Sequence, residues 1–376
     1  MAVHLIQKLY DSRTPLPSDE KFYKQAIEDI EFFSISSIAY HLLKQQGKLD
    51  QTPSFFQDRL KKTYHETLYL NLFIKSETKR IFSAFEDAGI SMIPLKGVTF
   101  AEKYFGHIGA RGTSDIDLLI KKSDLQKAID YVKALGYTTE EEFIPAHFHC
   151  SFSKHIPGSP VPLIVEIHWD LLKENTSNLR IEEFWNEATP LKPYNYVMEL
   201  SDYHTFYMIC LHGWKHQMNS LKYFIDIIQM IHVSKEGLDY SRLCKDAASH
   251  KTYKRIIRTI SIVYAQFPEL ENQKELPMRR KRKLWWEYEG IREVHAKTAR
   301  QYVNFAYFQF LDFDTTYHRF IAIVRWLFPS RVELAFELES DSEERILLTG
   351  YFKLLKKRCR NFFKTVFMRM ALGKRG

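Results

Sequence analysis

The sequence predicts an α+β protein, a small central sheet set between two helical regions, and three observations carry that expectation. Ser114-Asp115-Ile116-Asp117-Leu118-Leu119-Ile120 alternates polar and aliphatic residues over its first half, the period of a half-buried strand whose successive side chains point to opposite faces. Val161 to Trp169 alternates in the same way, with Val165, Ile167 and Trp169 on one face and Glu166 and His168 on the other. The stretches before residue 88 and after residue 180 instead space their apolar residues three and four apart, the period of amphipathic helices.

Residues 1–85 read as helices, with the recurrence clearest over Ser18 to Lys44 and Ser54 to Asp87. In the second segment Leu68, Leu72, Ile74, Ile81, Phe82 and Phe85 mark an apolar stripe, expected to pack as a helical cap on the centre of the chain. From 88 to 170 strands and helices alternate. Ile90 to Val98 is a short apolar run containing Lys96-Gly97, Thr99 to Phe105 reads as a helix, and Gly106 to Thr113 as a turn leading into the acidic strand. Ser123-Asp124 offers a helix N-cap and Leu135-Gly136 a glycine terminus. His147 and His149 alternate on a further candidate strand, and beyond 180 the chain returns to helices through to its end. The expected division is a helical region 1–87, a core 88–195, and a helical region 196–376 with a basic end.

Composition sets the outer limits. A chain of 376 residues has room for two or three domains with a sizeable core. It contains no apolar run of about eighteen residues, so no transmembrane helix is expected, and Met1 to Lys8 lacks the pattern of a signal peptide. Cys150, Cys210, Cys244 and Cys359 lie far apart without a Cys-x-x-Cys, which suggests reduced thiols and a cytoplasmic protein. The net charge of +8 is unevenly spread. Arg279-Arg280-Lys281-Arg282-Lys283 precedes Leu284-Trp285-Trp286, and from Lys353 to Arg375 lysines and arginines interleave with phenylalanines and leucines. Such segments bind anionic membrane surfaces or nucleic-acid backbones, or simply pack their apolar side on the protein. Peripheral contact with an anionic inner-membrane surface through the basic C-terminal helix is one expectation. Nucleic acid is the less favoured partner, because no recognisable RNA-binding module accompanies the basic runs.

Asp115 and Asp117 share a strand face, so their carboxylates repel and need a neutralising partner. A divalent cation serves well, since Mg²⁺ takes hard oxygen ligands and commonly combines carboxylates with substrate phosphates. An edge strand with one solvated acidic face is the alternative. Lys96 and Arg111 are the nearby counter-charges, Lys as a point charge and Arg as a bidentate fork on phosphate. Arg111 lies four residues before Asp115 and could equally pair with the carboxylates. His147 and His149 suit either a transition metal or a hydrogen-bonded wall. His212 and His216 have the spacing of a zinc helix but lack the glutamate of that motif. Lys222 and Asp226, also four apart, are placed for a helix ion pair of about 0.3 kcal/mol.

Strand, glycine turn, helix and paired-aspartate strand together resemble the opening of the polymerase-beta-like nucleotidyltransferase superfamily. The set Leu95-Lys96-Gly97, Arg111, Asp115-Ile116-Asp117 and Glu166-Ile167-His168-Trp169 is similar to its uncharacterised bacterial nucleotidyltransferase family, over roughly residues 60–230. Lys96-Gly97 stands where Gly-Gly or Gly-Ser is usual, the gap to Asp115 is long, and Glu166 stands where many relatives carry Asp. The resemblance implies a mixed-sheet nucleotidyltransferase core, with Asp115, Asp117 and Glu166 as catalytic residues holding Mg²⁺ or Mn²⁺. It places Lys96, Gly97, Arg111, Ser114 and His168 around a nucleoside triphosphate, with Lys215, His216 and Lys222 contacting nucleotide or acceptor from a facing helical segment. The implied reaction moves a nucleoside monophosphate to the hydroxyl of a sugar, small molecule, glycan precursor or protein, releasing pyrophosphate. A catalytically silent nucleotide- or partner-binding protein and an RNA-end nucleotidyltransferase are the alternatives.

Overall fold

The computed structural model describes residues 1–11, 14–141, 147–156, 159, 161–234, 236–276, 284–292, 299–338 and 348–372. The N-terminal helices are α1 (Ala2–Tyr10), α2 (Glu20–Phe32), α3 (Ser36–Gln45) and α4 (Ser54–Asp87). Then come β1 (Met92–Pro94), α5 (Val98–Phe105), β2 (Asp115–Ile120), α6 (Leu125–Ala134), β3 (Thr138–Glu141), β4 (His149–Lys154), β5 (Leu163–His168) and α7 (Ile181–Asn186). A two-stranded hairpin follows, β6 (Thr189–Pro190) and β7 (Met198–Glu199), then α8 (Asp202–Lys215), α9 (Leu221–Ser234), α10 (Tyr240–Ser249) and α11 (Tyr253–Gln266). The remaining helices are α12 (Glu289–Arg292), α13 (Ala299–Ala306), α14 (Thr316–Leu327), α15 (Arg331–Leu338) and α16 (Leu348–Leu372). This is the expected α+β arrangement, with helical regions on both sides of a mixed sheet.

Local chemistry accounts for most element ends. The recurrence over Ser18 to Lys44 resolves into two helices, because Ser34 adopts a left-handed φ of 54° and turns the chain. Asp19 caps α2 by accepting the Lys21 N–H at 2.9 Å. The long α4 stops at Gly89, whose φ of 65° closes a Schellman motif: Ile90 N–H bonds Phe85 C=O and Gly89 N–H bonds Glu86 C=O. Gly136 ends α6 in the same way. Its expected N-cap differs, since Lys122 to Asp124 form a 3₁₀ turn and neither Ser123 nor Asp124 makes a side-chain cap. Of the apolar run Ile90 to Val98 only Met92–Pro94 is strand, because Gly97 opens α5.

The sheet runs in the order β1-β2-β5-β4-β3. β1–β2, β5–β4 and β4–β3 are antiparallel, and β2–β5 is parallel. That parallel pair needs a crossover, supplied by α6 and the β3–β4 hairpin. One sheet face buries Ile116, Leu118, Ile120, Val165 and Ile167 against Ile74, Ile81, Phe82 and Phe85 of α4 and Ala128, Ile129 and Val132 of α6. Burial contributes about 1.5–3 kcal/mol for each large aliphatic or aromatic side chain. The predicted α4 stripe is therefore largely buried, but Leu72 is 48% exposed, being out of phase with the residues that face the sheet. Glu77 lies in that stripe, ion-paired with Lys154 and Arg80.

The second core joins the two ends of the chain. Side chains of α1, α2 and α3 form one apolar cluster with those of α8, α9 and α11. The N-terminal helices thus share a core with the C-terminal helices and not only with the sheet. The hairpin β6–β7 interrupts the helices expected beyond 180. It is tied to the sheet by the Met92 N–H to Tyr196 C=O bond. The basic run Arg279–Lys283 and the terminal Lys374 and Arg375 lie outside the described residues.

Candidate active site

The face of β2 and β5 opposite the α4 packing carries Asp115, Asp117, Glu166 and His168. The parallel register sets Asp117 directly beside Glu166, and Leu119 beside His168. Helices α8 and α9 stand across from this face. Between them is a cavity of about 210 Å³, to which Lys96, Gly97, Arg111, Ser114, Asp115, Asp117, Glu166, His168, Lys215 and Lys222 all contribute. Residues from well-separated segments of the chain therefore converge on one space.

Gly97 makes the entry turn possible. Its φ of 80° and ψ of −145° form the N-cap of α5, a conformation that a Cβ strains. The turn lets Lys96 reach inward and opens α5 towards the cavity, where unpaired N–H groups at a helix start favour anions.

The carboxylates are not equivalent. Asp117 is buried, with Lys96 Nζ 3.1 Å from Oδ2 and His168 Nε2 3.2 Å from Oδ1. Burial alone would raise its pKa, but Lys96 and His168 outweigh it and hold the carboxyl well below the usual range. Asp115 is half-buried. Burial and the neighbouring Asp117 charge push it upward, against the pull of Lys96 and Lys222. Glu166 is more open than Asp117 and takes a contact of 3.1 Å from His168 Nε2. His168 thus bridges two carboxylates; against the effect of burial, its hydrogen bonds to them raise its pKa. Lys96 is raised by Asp117 and Asp115 against the same penalty.

Donor atoms of Asp117, Glu166 and His168 lie within 4.8 Å of one another. Two carboxylates and an imidazole form a donor set that fits a divalent cation, the oxygens suiting Mg²⁺ or Mn²⁺. Asp115, on the same face, is not part of this close group, and His168 is.

The facing wall is cationic. Lys215 of α8 lies 4.4 Å from the centre of the Phe148 ring. Burial lowers its pKa. Lys222 of α9 is lowered to about 8, first by burial and then by Arg111. Among the described residues no carboxylate lies within 4.0 Å of Lys222. The expected Lys222–Asp226 pair is absent because Asp226 accepts two hydrogen bonds from Arg111, Nε at 2.6 Å and Nη2 at 2.8 Å. Arg111 therefore pairs with a carboxylate, but with one on α9 and not with Asp115 or Asp117. Its fork is occupied, although the side chain still borders the cavity.

Among the lining residues not assigned to the site from the sequence are His212, Tyr223 and Phe148. His212 Nε2 is 2.8 Å from Lys96 Nζ, and burial with the Lys96 charge keeps its pKa well below the ordinary value. Tyr223 stacks on His216 at 5.3 Å; His216 is lowered to about 4 by burial and Lys215. Phe148 borders the cavity just ahead of β4. The His212/His216 spacing was visible in the sequence, but its partner Lys96 is 116 residues away. His149 pairs in register with His168 and stacks on it at 5.1 Å; burial and the His168 charge take it down to about 2. His147 precedes β4 and does not lie on it.

Comparison with curated proteins and with solved structures finds no match. A family profile does match, over residues 21–268, from within α2 to just beyond α11 and including every residue of the cavity. That span is well over half of the chain, and the protein belongs to the uncharacterised nucleotidyltransferase family.

Proposed function

We propose that the cavity binds a nucleoside triphosphate and transfers its nucleoside monophosphate to an acceptor hydroxyl. The observation that carries this reading is the arrangement of Asp117 beside Glu166 on paired parallel strands, with Asp115 on the same face and Lys96, Lys215 and Lys222 around them. Lys96 and His168 offset Asp117 but not the whole acidic group, and Lys215 and Lys222 face the cavity with no ion pair among the described residues. A metal–triphosphate complex answers both needs at once.

Asp117, Glu166 and His168, with Asp115 beside them, would hold a divalent cation. It would supply charge neutralisation at the attacking and leaving oxygens of an in-line displacement. Lys215 and Lys222 bind phosphate oxygens from the α8–α9 side, and Gly97 brings the start of α5 to the opposite side. Lys96 exchanges part of its contact with Asp117 for phosphate. The acceptor oxygen forms a bond to the α-phosphorus as the bond to the bridging oxygen breaks. Glu166, more open than Asp117, takes the hydroxyl proton, and pyrophosphate departs. Arg111 is a positioning residue, locking α9 against the approach to β2.

Calorimetric titration with each of the four common nucleoside triphosphates tests the donor site, with and without Mg²⁺. Binding of at least one that requires both metal and the carboxylates, and is lost in Asp115→Asn/Asp117→Asn, is expected. Asp117 is already neutralised by Lys96 and His168, which favours a second reading as a silent nucleotide-binding protein. Binding that ignores the metal and survives the double variant would select that reading.

Lys222 gives the site a pH signature. Its ammonium is charged below about 8 and neutral above, so affinity for inorganic triphosphate in metal-free buffer should fall as pH rises from 7 to 9. Anion binding stabilises the charged form, so protons should be taken up on binding near the upper end of that window. Lys222→Arg should flatten the profile, because arginine stays charged throughout. An unchanged pH dependence in that variant would remove Lys222 from the phosphate site.

A further inference from the structure

The residues after 268 lie beyond the family match and carry a surface that the cavity chemistry does not use. Helix α14 is amphipathic in the outward sense. His318 and Ala322 are buried, whereas Tyr317 is 56%, Phe320 62% and Phe328, at its C-terminal end, 55% exposed, with Ile323 also exposed. Phe328 meets Tyr351 of α16 at 5.6 Å, and the next residue, Phe352, is 70% exposed. Exposed large apolar side chains in such a group mark an interaction surface.

Among the described residues the exposed charge around this surface is positive. Arg331, Lys353, Lys356 and Arg360 are exposed. Among the described residues of 299–361 every acidic residue has a partner. Asp312 is buried against Arg258, Asp314 accepts the backbone N–H groups of Tyr253 and Lys254, Glu333 pairs with Lys173, and Glu337 with Arg358. The acid-rich stretch 339–344 lies outside the described residues. No described helix is long and apolar enough to cross a membrane. An apolar outer stripe beside exposed cations is the pattern of a helix lying in a lipid interface, its rings at the acyl boundary and its cations at anionic headgroups.

We propose that the α14 stripe and the exposed face of α16 form a peripheral binding surface for an anionic lipid bilayer. A nucleic-acid strand fits less well, because Tyr317, Phe320, Ile323 and Phe328 form an apolar stripe without a cation at any of its positions. A protein partner would leave the excess cations without a stated counterpart, whereas headgroup phosphates supply one. The surface is independent of the proposed nucleotidyl transfer.

Cosedimentation of the full chain with vesicles tests this, comparing pure phosphatidylcholine with an equal mixture of phosphatidylcholine and phosphatidylglycerol. Partition into the anionic vesicles alone, weakening as salt rises, is expected. Phe320→Ser/Phe328→Ser should weaken it by roughly tenfold or more. Lys353→Glu/Lys356→Glu should do so as well, which keeps the test decisive if the aromatic variant fails to fold. Melting temperature and triphosphate binding by both variants should match the parent chain. No partition of the parent chain into anionic vesicles would overturn the proposal. So would equal partition by both variants, or a parent dimer that the aromatic variant converts to monomer, which would make the stripe a protein interface.

Discussion

Asp115→Asn is expected to lower pyrophosphate release from a nucleoside triphosphate by at least about 10³-fold, while leaving the metal-free fold as stable as the parent or more so. The two effects have one cause. Burial and the Asp117 charge raise the Asp115 pKa, so the ionised carboxylate, the form present above the ordinary carboxylate range, costs the folded state stability at neutral pH. The amide removes that cost and also removes an anion that the proposed chemistry uses. Urea unfolding in chelator-containing buffer, beside a pyrophosphate assay with Mg²⁺, reads both. Retained turnover would remove Asp115 from the machinery, and a marked loss of stability would mean that its carboxylate is structural. Asp117→Asn separates the roles less cleanly, because it also strips Lys96 and His168 of their buried partner.

Arg111→Met should destabilise the protein by about 3–5 kcal/mol, the usual consequence of leaving one member of a buried ion pair uncompensated. Both partners are almost fully buried, and the contact is bidentate. Asp226→Leu should cost a similar amount. The double variant Arg111→Met/Asp226→Leu should recover much of the loss, since a hydrophobic replacement of a whole buried pair is often neutral. Urea unfolding of the three variants forms the cycle. A cost below about 1 kcal/mol for Arg111→Met would show that the pair contributes little and free the guanidinium for a phosphate role.

The local chemistry of the acidic sheet face is legible in the residues themselves. Alternation at Asp115 to Leu118 and at Val165 to Trp169 specifies which side chains share a face, because a strand has a period of two. Gly97 and Gly136 sit at turns where a positive φ is needed. The α4 span is readable from end to end, since apolar spacing over many turns is a strong signal and a glycine follows it. By contrast Ser34, a left-handed residue that is not glycine, leaves no mark in the pattern, and the helical recurrence runs through it.

Pairing across the chain is not legible in the same way. Lys222 and Asp226 have good spacing for an ion pair, yet Asp226 serves Arg111. The bidentate guanidinium contact takes both oxygens of the buried Asp226, a geometry that a single ammonium does not match. His212 reads as half of a zinc-like helix motif, and only the folded chain sets α8 against the turn between β1 and α5 that carries Lys96. The grouping of His168 with Asp117 and Glu166 likewise depends on the parallel register of β2 and β5. Periodicity, turn chemistry and the concentration of carboxylates on one strand face are local properties, and they suffice to name candidate residues. Which of those residues meet is a property of the folded chain, because burial makes a charge choose its partner by distance in space and not by spacing along the sequence.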